Sequence, residues 1–316
     1  MLEKKKIDLG IIILHYNNVN DTLECVQSFI NKLDTNNYVL FVFDNCSPNG
    51  SGKILKEQLS KLINVEVFLN DQNLGFGGGN NKAIKILREK YDPQYLVLSN
   101  NDILLIDSHF YKKINDEYTL SRFAEMGPMI LTADGRCDSN PIFDKPYYKE
   151  VALEELAELK RKLKSYKYHY NYFHNLLRKL KFKVSKRFRK HRRSQLRKNR
   201  SEGIFLKKRE NIVCHGCFMI FSKLFFEHYD GINLHSFMYA EEDILYAQIM
   251  SKGLKTIYQP NIVVYHKEGK SVSNTYKNNR NKEMFLLKKH IEANEGYIQY
   301  LNKLEENGFI FKKEEQ

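Results

Sequence analysis

Apolar and polar positions divide the chain into three stretches with different rhythms. From Asp8 to Leu131, short apolar runs alternate with helical patterns. Asp8–His15 is rich in Ile and apolar nearly throughout, as a strand covered on both faces is. Asp21–Leu33 then sets Leu23, Val26, Phe29, Ile30 and Leu33 on one side of a helix, with Asn20 or Asp21 as its cap. Tyr38–Phe43 predicts a second strand, Ile54–Leu62 a helix and Val65–Leu69 a third strand. A glycine-rich stretch, Asn70–Ile84, leads into the next helix. Tyr95–Leu98 is a fourth strand, bounded by Pro93 upstream and by Ser99-Asn100-Asn101-Asp102 downstream. Four strand–helix alternations predict an α/β fold with a mostly parallel sheet and right-handed crossovers. Glu125–Leu131 adds another strand.

The second stretch changes character. Between Glu158 and Glu202 there is no acidic residue, and from Lys149 to Glu202 neither Gly nor Pro. Apolar and aromatic residues recur at Leu156, Leu159, Leu163, Tyr166, Tyr170, Phe173, Leu177, Leu180 and Val184, steps of three and four that form a heptad stripe. This predicts a basic helical insert, one long helix or a two-helix hairpin. In the third stretch the globular pattern resumes: strand Ile212–Phe221, a short helix Lys223–Tyr229, a helix after Glu241-Glu242-Asp243 that stops at Gly253, strands Thr256–Tyr258 and Ile262–Tyr265, and a helix Asn281–Ile291.

Composition narrows the partners. The 316 residues are enough for a sizeable core, and a net charge of +13 favours an acidic partner: a nucleotide, a nucleic acid or an anionic membrane surface. Five cysteines without a disulfide-like framework suit a reducing compartment. The lone CHGC of Cys214 and Cys217 lacks two further zinc ligands and sits in strand-like surroundings, so core cysteines are expected. Leu9–Leu14, the longest early apolar run, is far below the ~20 residues of a membrane span, and no cleavage site is visible after it. A cytoplasmic location is expected.

Candidate chemistry gathers at the strand ends. Asp102, at the carboxyl end of a buried strand, stands where open α/β sheets place ligands and can offer oxygens to Mg²⁺ or Mn²⁺; it reads equally as a helix cap within a polar turn. Gly75, Gly77, Gly78 and Gly79 resemble a dinucleotide fingerprint, but Asn80 breaks the pattern and the loop comes after the third strand rather than the first. An anion at a helix N-terminus and a flexible connector both remain open for it. Glu241, Glu242 and Asp243 read as helix-dipole charge unless something else recruits them.

Several motifs in order carry a resemblance: ILHYNN (13–18), FVFDNCS (41–47), NLGFGGGNN (73–81), LSNND (98–102), HGCFMIF (215–221), FMYAEEDILYAQIMSKG (237–253) and HKEGKS (266–271). Together they resemble the family-2 inverting glycosyltransferases of GT-A fold, particularly bacterial enzymes of polysaccharide assembly related to rhamnosyl- and galactofuranosyltransferases. The resemblance covers roughly Asp8–Leu131 and Asn211–Ser273; the insert lies outside it.

The resemblance has specific implications. Residues 1–148 would be the nucleotide-sugar half, 149–205 the insert, 206–275 the acceptor half and 276–316 terminal helices. His15, Tyr16, Asn17, Asp44, Asn73, Gly75, Gly78, Asn80 and Asn101 would hold the nucleotide sugar, UDP- or dTDP-linked. Asp102, alone or with His266, would bind Mn²⁺ or Mg²⁺, since in LSNND an Asn replaces the first acid of the family's metal motif. Asp243 would be the catalytic base, with His215, Gly216 and Glu242 on the acceptor side. Where the family has a second Asp, Leu245 stands here. The implied reaction moves a sugar with inversion to a lipid-linked saccharide in surface polysaccharide or capsule synthesis, at the inner membrane face. The insert would dock on anionic lipid or pair in a homodimer. The competing classes are a basic membrane- or nucleic-acid-binding module, which leaves the strand-end acids unused, and a nucleotidyltransferase, which needs a basic phosphate loop that HYNNVND does not offer. No nucleic-acid partner is expected.

Overall fold

The computed structural model describes residues 3–137, 139–142, 149–168, 203–233, 238–267 and 279–311. β1 (Lys5–His15), β2 (Tyr38–Asp44), β3 (Val65–Leu69) and β4 (Tyr91–Asn100) form one parallel block in the order β3-β2-β1-β4. They are linked by α1 (Val19–Lys32), α2 (Ser51–Leu59) and α3 (Gly75–Lys90). Register fixes the geometry that matters. His15 pairs with Asp44 and Leu14 with Asn100, so the carboxyl ends of β1, β2 and β4 finish at one level. Alternation along β1 sorts the core. Leu9, Ile11 and Ile13 pack with Val26, Phe29 and Leu55 on one face, while Ile12 joins Ala83, Ile84 and Leu87 on the other. Each buried Val, Leu, Ile or Phe among them stabilises the fold by ~1.5–3 kcal/mol relative to exposure.

The rest of the sheet departs from the mostly parallel expectation. It comprises β5 (Ile103–Leu105), β6 (Glu125–Thr132), β7 (Arg209–Glu210), β8 (Phe218–Ser222) and β9 (Thr256–His266), running β4-β8-β6-β9-β5 with β7 on β9. Only β6 and β9 are parallel there; β4/β8, β6/β8, β5/β9 and β7/β9 are antiparallel. The sheet is therefore mixed.

Element ends moved for local reasons. α1 begins earlier, because the Asn18 side chain rather than Asn20 or Asp21 caps it by accepting from the Asp21 N–H. The two strands expected near residue 260 fuse into β9 across a bulge that absorbs Pro260, which has no N–H to donate. The strand expected from Ile212 starts only at Phe218, since Asn211 adopts a left-handed φ of 54° and residues 215–217 are held by side chains instead.

α4 (Phe110–Ser121), α5 (Lys149–Tyr168), α6 (Lys223–Phe226), α7 (Glu241–Met250) and α8 (Asn279–Glu306) complete the described elements, with a 3₁₀ turn at Ile204–Leu206. The insert is helical over α5; its residues 169–202 lie outside those described, as does the stripe from Tyr166 onward. α5 lies antiparallel along α8. Lys149 pairs with Glu305 and Lys160 with Glu295 at 2.6 Å. Ala152 and Leu156 pack with Ile298, Leu301 and Leu304 of α8 and with Ile244 and Ala247 of α7, a third core apart from the sheet. Among the described residues, the start of the insert's apolar face thus packs within its own chain.

Candidate active site

At the β1 end, His15 is wholly buried, held by Thr22 Oγ1 at 2.6 Å and Ser51 Oγ at 2.8 Å. Burial drives its imidazole down to about 4, against the pull of Asp44. A neutral ring with both nitrogens engaged braces the β1–β2 ends from beneath. Tyr16 and Asn17 come next, both half-buried. Asn17 adopts a φ of 68°, donates its N–H to Ser47 Oγ, and leaves its buried Oδ1 with no partner among the described residues. Non-glycine residues hold this conformation at a cost and cluster at ligand sites. Asp44 is 5% exposed and accepts from the Ser47 N–H at 3.2 Å.

The glycine stretch is no flexible connector. Gly75 opens α3 with a φ of 73°, which glycine adopts without strain. The preceding turn is clamped by Asn45. Its Nδ2 donates to Asn73 Oδ1 at 3.1 Å and to the Gly75 carbonyl at 2.9 Å, and its Oδ1 accepts from the Leu74 N–H at 3.1 Å. Asn73 Oδ1 in turn accepts from the Gly75 N–H. Asn45 was missed by sequence reasoning, although it stands beside Asp44 in the same motif. Gly78 packs on Leu74 inside the first turn of α3. Asn80 is 1% exposed and donates to the Phe76 carbonyl, while its Oδ1 has no partner among the described residues. Asn101 Nδ2 donates to Thr22 Oγ1 at 3.0 Å, tying the β4 turn to α1.

The turn after β4 brings in the metal candidates. Ile103 pairs with His266, which sets Asp102 Oδ1 3.3 Å from His266 Nε2. One carboxylate and one imidazole suit a divalent ion that takes its other oxygens from a diphosphate and water. Among the described residues no group of three His, Cys, Asp or Glu forms a metal cluster. The His215 ring centroid is 6.4 Å from that of His266. His215 Nδ1 accepts from the Cys217 N–H, which leaves the proton of a neutral ring on Nε2.

Next to this turn opens a cavity of about 320 Å³. Asn100, Phe76 and His215–Cys217 form its sheet side, the first turn of α7 its floor, and α5 and α8 the remaining wall. Asn100 reaches Cys217 through its N–H, 2.9 Å from the Cys217 carbonyl. Glu241, Glu242 and Asp243 all line the cavity, but differently. Glu242 is half-buried and its Oε1 accepts from the Gly216 N–H at 3.1 Å. Only glycine allows this approach, since a Cβ at 216 would lie 2.8 Å from that oxygen. Asp243 is 7% exposed. Glu241 is 5% exposed, its Oε1 has no partner among the described residues, and burial followed by the charge of Glu242 pushes it up to about 7. Beneath them Glu125 is raised to about 8 by burial and then by Glu242. Cys217 feels both Asp102 and Glu242, which together with burial hold its thiol protonated. Cys25, Cys46, Cys137, Cys214 and Cys217 are free thiols.

Residues 10–116 match the family model for glycosyl transferase family 2. They are a family-2 glycosyltransferase domain. A curated relative of this domain, an uncharacterized glycosyltransferase of Methanocaldococcus jannaschii, is 30% identical over 104 residues, 33% of this chain and 35% of its own. The chain thus spans about a third of the length of the curated relative it matches. Among solved structures, S. aureus TarS in complex with UDP-GlcNAc is 18% identical over 44% of this chain and 39% of its own, with a TM-score of 0.37. GalNAc-T7, solved with UDP, GalNAc and Mn²⁺, is 13% identical over 83% of this chain and 44% of its own, with a TM-score of 0.50. That longer match extends the likeness beyond the family-2 domain, and the fold is GT-A. Among the described residues no helix is long and apolar enough to cross a membrane.

Proposed function

We propose that the chain transfers a sugar, with inversion, from a nucleoside-diphosphate sugar to a saccharide acceptor. The observation that carries this is the cavity itself. The sheet register sets the Asp102–His266 pair beside Asn100, and three carboxylates of α7 line the space that Asn100 and Cys217 also line. The nucleoside lies across the β1, β2 and α3 ends, where Asn17 Oδ1 lacks a donor among the described residues and Asp44 is nearby. Tyr16, Asn73, Gly75 and Asn101 shape that pocket, UDP or dTDP being its occupant. GalNAc-T7 was solved with UDP and Mn²⁺, which supports the same donor class here.

Asp102 and His266 would hold Mn²⁺ or Mg²⁺. Such an ion neutralises a departing diphosphate. The acceptor hydroxyl then needs a base. Sequence reasoning favoured Asp243; we assign the role to Glu242. It is the more exposed of the two, its charge reaches Cys217 together with that of Asp102, and the Gly216 N–H fixes one of its oxygens while the other can take a proton. Gly216 and His215 then form the edge along which the acceptor approaches. Inversion results from a single displacement with one base.

The acceptor class suggested by the resemblance is a lipid-linked saccharide of surface polysaccharide. The net charge of +13 supports work against an anionic leaflet, and flotation with anionic vesicles at low salt should carry the protein. The donor reading is tested by thermal shift against a panel of UDP- and dTDP-sugars with Mn²⁺. At least one should raise the midpoint, because a ligand of the folded state stabilises it by mass action. No shift with any of them would contradict the reading.

A further inference from the structure

The cavity is acidic in a strongly basic protein. Glu155 of α5 and Glu241, Glu242 and Asp243 of α7 line it, against a net charge of +13 for the whole chain. Two of its polar atoms are buried without a hydrogen-bond partner among the described residues: Glu241 Oε1 and, from α8, Asn294 Oδ1. Buried acceptors left unpaired are costly, so something that donates hydrogen bonds belongs there. The same cavity carries aromatic surface. Tyr239 stacks on His290 with ring centroids 3.8 Å apart and planes 12° from parallel, and Tyr297 and Phe76 add to the lining. Hydroxyl-accepting oxygens beside aromatic faces are the surroundings that suit a pyranose, with its polar rim and its apolar C–H faces. Carboxylates on two of the walls repel an anion.

We infer that α5 of the insert and α8 build a subsite that selects an uncharged saccharide unit of the acceptor, held by Glu241 and Asn294 and screened at its rim by Glu155. The inference rests on the glycosyltransferase reading and goes beyond it, since it assigns acceptor choice to the insert and the carboxyl-terminal helix. α5 can do this because its place is set: the Lys149–Glu305 and Lys160–Glu295 pairs and the Ala152–Leu156 packing lock it to α8 beside the cavity. Any phosphate or uronate in the acceptor must then lie outside this subsite.

Saturation-transfer NMR on the full chain tests it with defined probes: UDP with Mg²⁺ in every tube, and methyl glycosides of glucose, galactose, N-acetylglucosamine and glucuronic acid added singly. At least one neutral glycoside should receive saturation from the wild type, and the glucuronide none. Asn294→Leu should reduce the neutral signal several-fold at an unchanged thermal midpoint. Glu155→Lys, at an exposed position, should admit the glucuronide at an unchanged thermal midpoint. Equal saturation of neutral and anionic glycosides, full signal in folded Asn294→Leu, or saturation of UDP with no neutral glycoside responding would each overturn the subsite. Absence of saturation on UDP itself would instead count against the glycosyltransferase reading beneath it.

Discussion

The two halves of the molecule place their site residues by different means. In the parallel half, strand register does the work. His15, Asp44 and Asn100 come level because three neighbouring strands end together, and each lies within a motif visible in the chain. In the other half, helices far apart in sequence enclose a cavity: α5 from the insert, the first turn of α7, and α8. Ladder hydrogen bonds make the first arrangement hard to shift. The second depends on a small helical core and two lysine–glutamate pairs, and so is where specificity can change without disturbing the sheet. The family model, which ends at residue 116, covers the first kind of region only.

Substitutions at the carboxylates give the sharpest break between the halves. Glu242→Gln should lower the transfer rate by ~10²–10⁴-fold, the range for a lost general base, while UDP binding stays intact. Asp243→Asn should cost far less; a larger loss there than at Glu242, in initial rates measured side by side, would return the base to Asp243. On the sheet side, Asp102→Ala should weaken Mn²⁺-dependent UDP binding by at least about tenfold, since losing a ligand costs more than losing its supporting partners. Titration calorimetry with and without Mn²⁺ reads this, and an unchanged metal dependence would remove Asp102 from the site.

Smaller effects probe what holds each half. Glu241 has a folded-state pKa of about 7, above its ordinary value of 4.5. Between those values the folded state binds more protons than the unfolded one, so stability falls as pH rises through this window. Glu241→Gln should flatten that part of the pH–stability curve and raise the midpoint at pH 8; denaturation at pH 5 and pH 8 checks the sign. Glu125, raised to about 8, adds a slope of the same sign that this variant leaves in place. Asn45→Ala should cost about 1–3 kcal/mol by orphaning the groups it ties in the glycine turn, and should loosen UDP binding as well.

Much of the first half was legible. Short, nearly continuous apolar runs and the turn residues that bound them named β1 to β4. Direction escaped. His15 and Asn80 are polar, yet both are buried, and no pattern in the chain foretells that burial. Asn45 escaped because its three hydrogen bonds run to residues nearly thirty positions away. In the second half the individual helices were visible and their meeting was not. The heptad stripe of the insert announced a helical partner, yet spacing alone could not say that Leu156, at its start, packs against α8 of the same chain. The mixed strand directions likewise depend on where β8 and β9 insert, a long-range choice that alternation within a strand does not encode.

The central claim is a one-step displacement where the Asp102 turn meets the cavity that Glu242 lines. Its most direct test is the anomeric configuration of the sugar first released. Proton NMR within the first minutes of turnover, before mutarotation, tracks water acting as acceptor on a nucleotide sugar of known configuration. The account predicts the anomer opposite to that of the donor. Early appearance of the donor's own configuration would mean a covalent or front-side route and would contradict it.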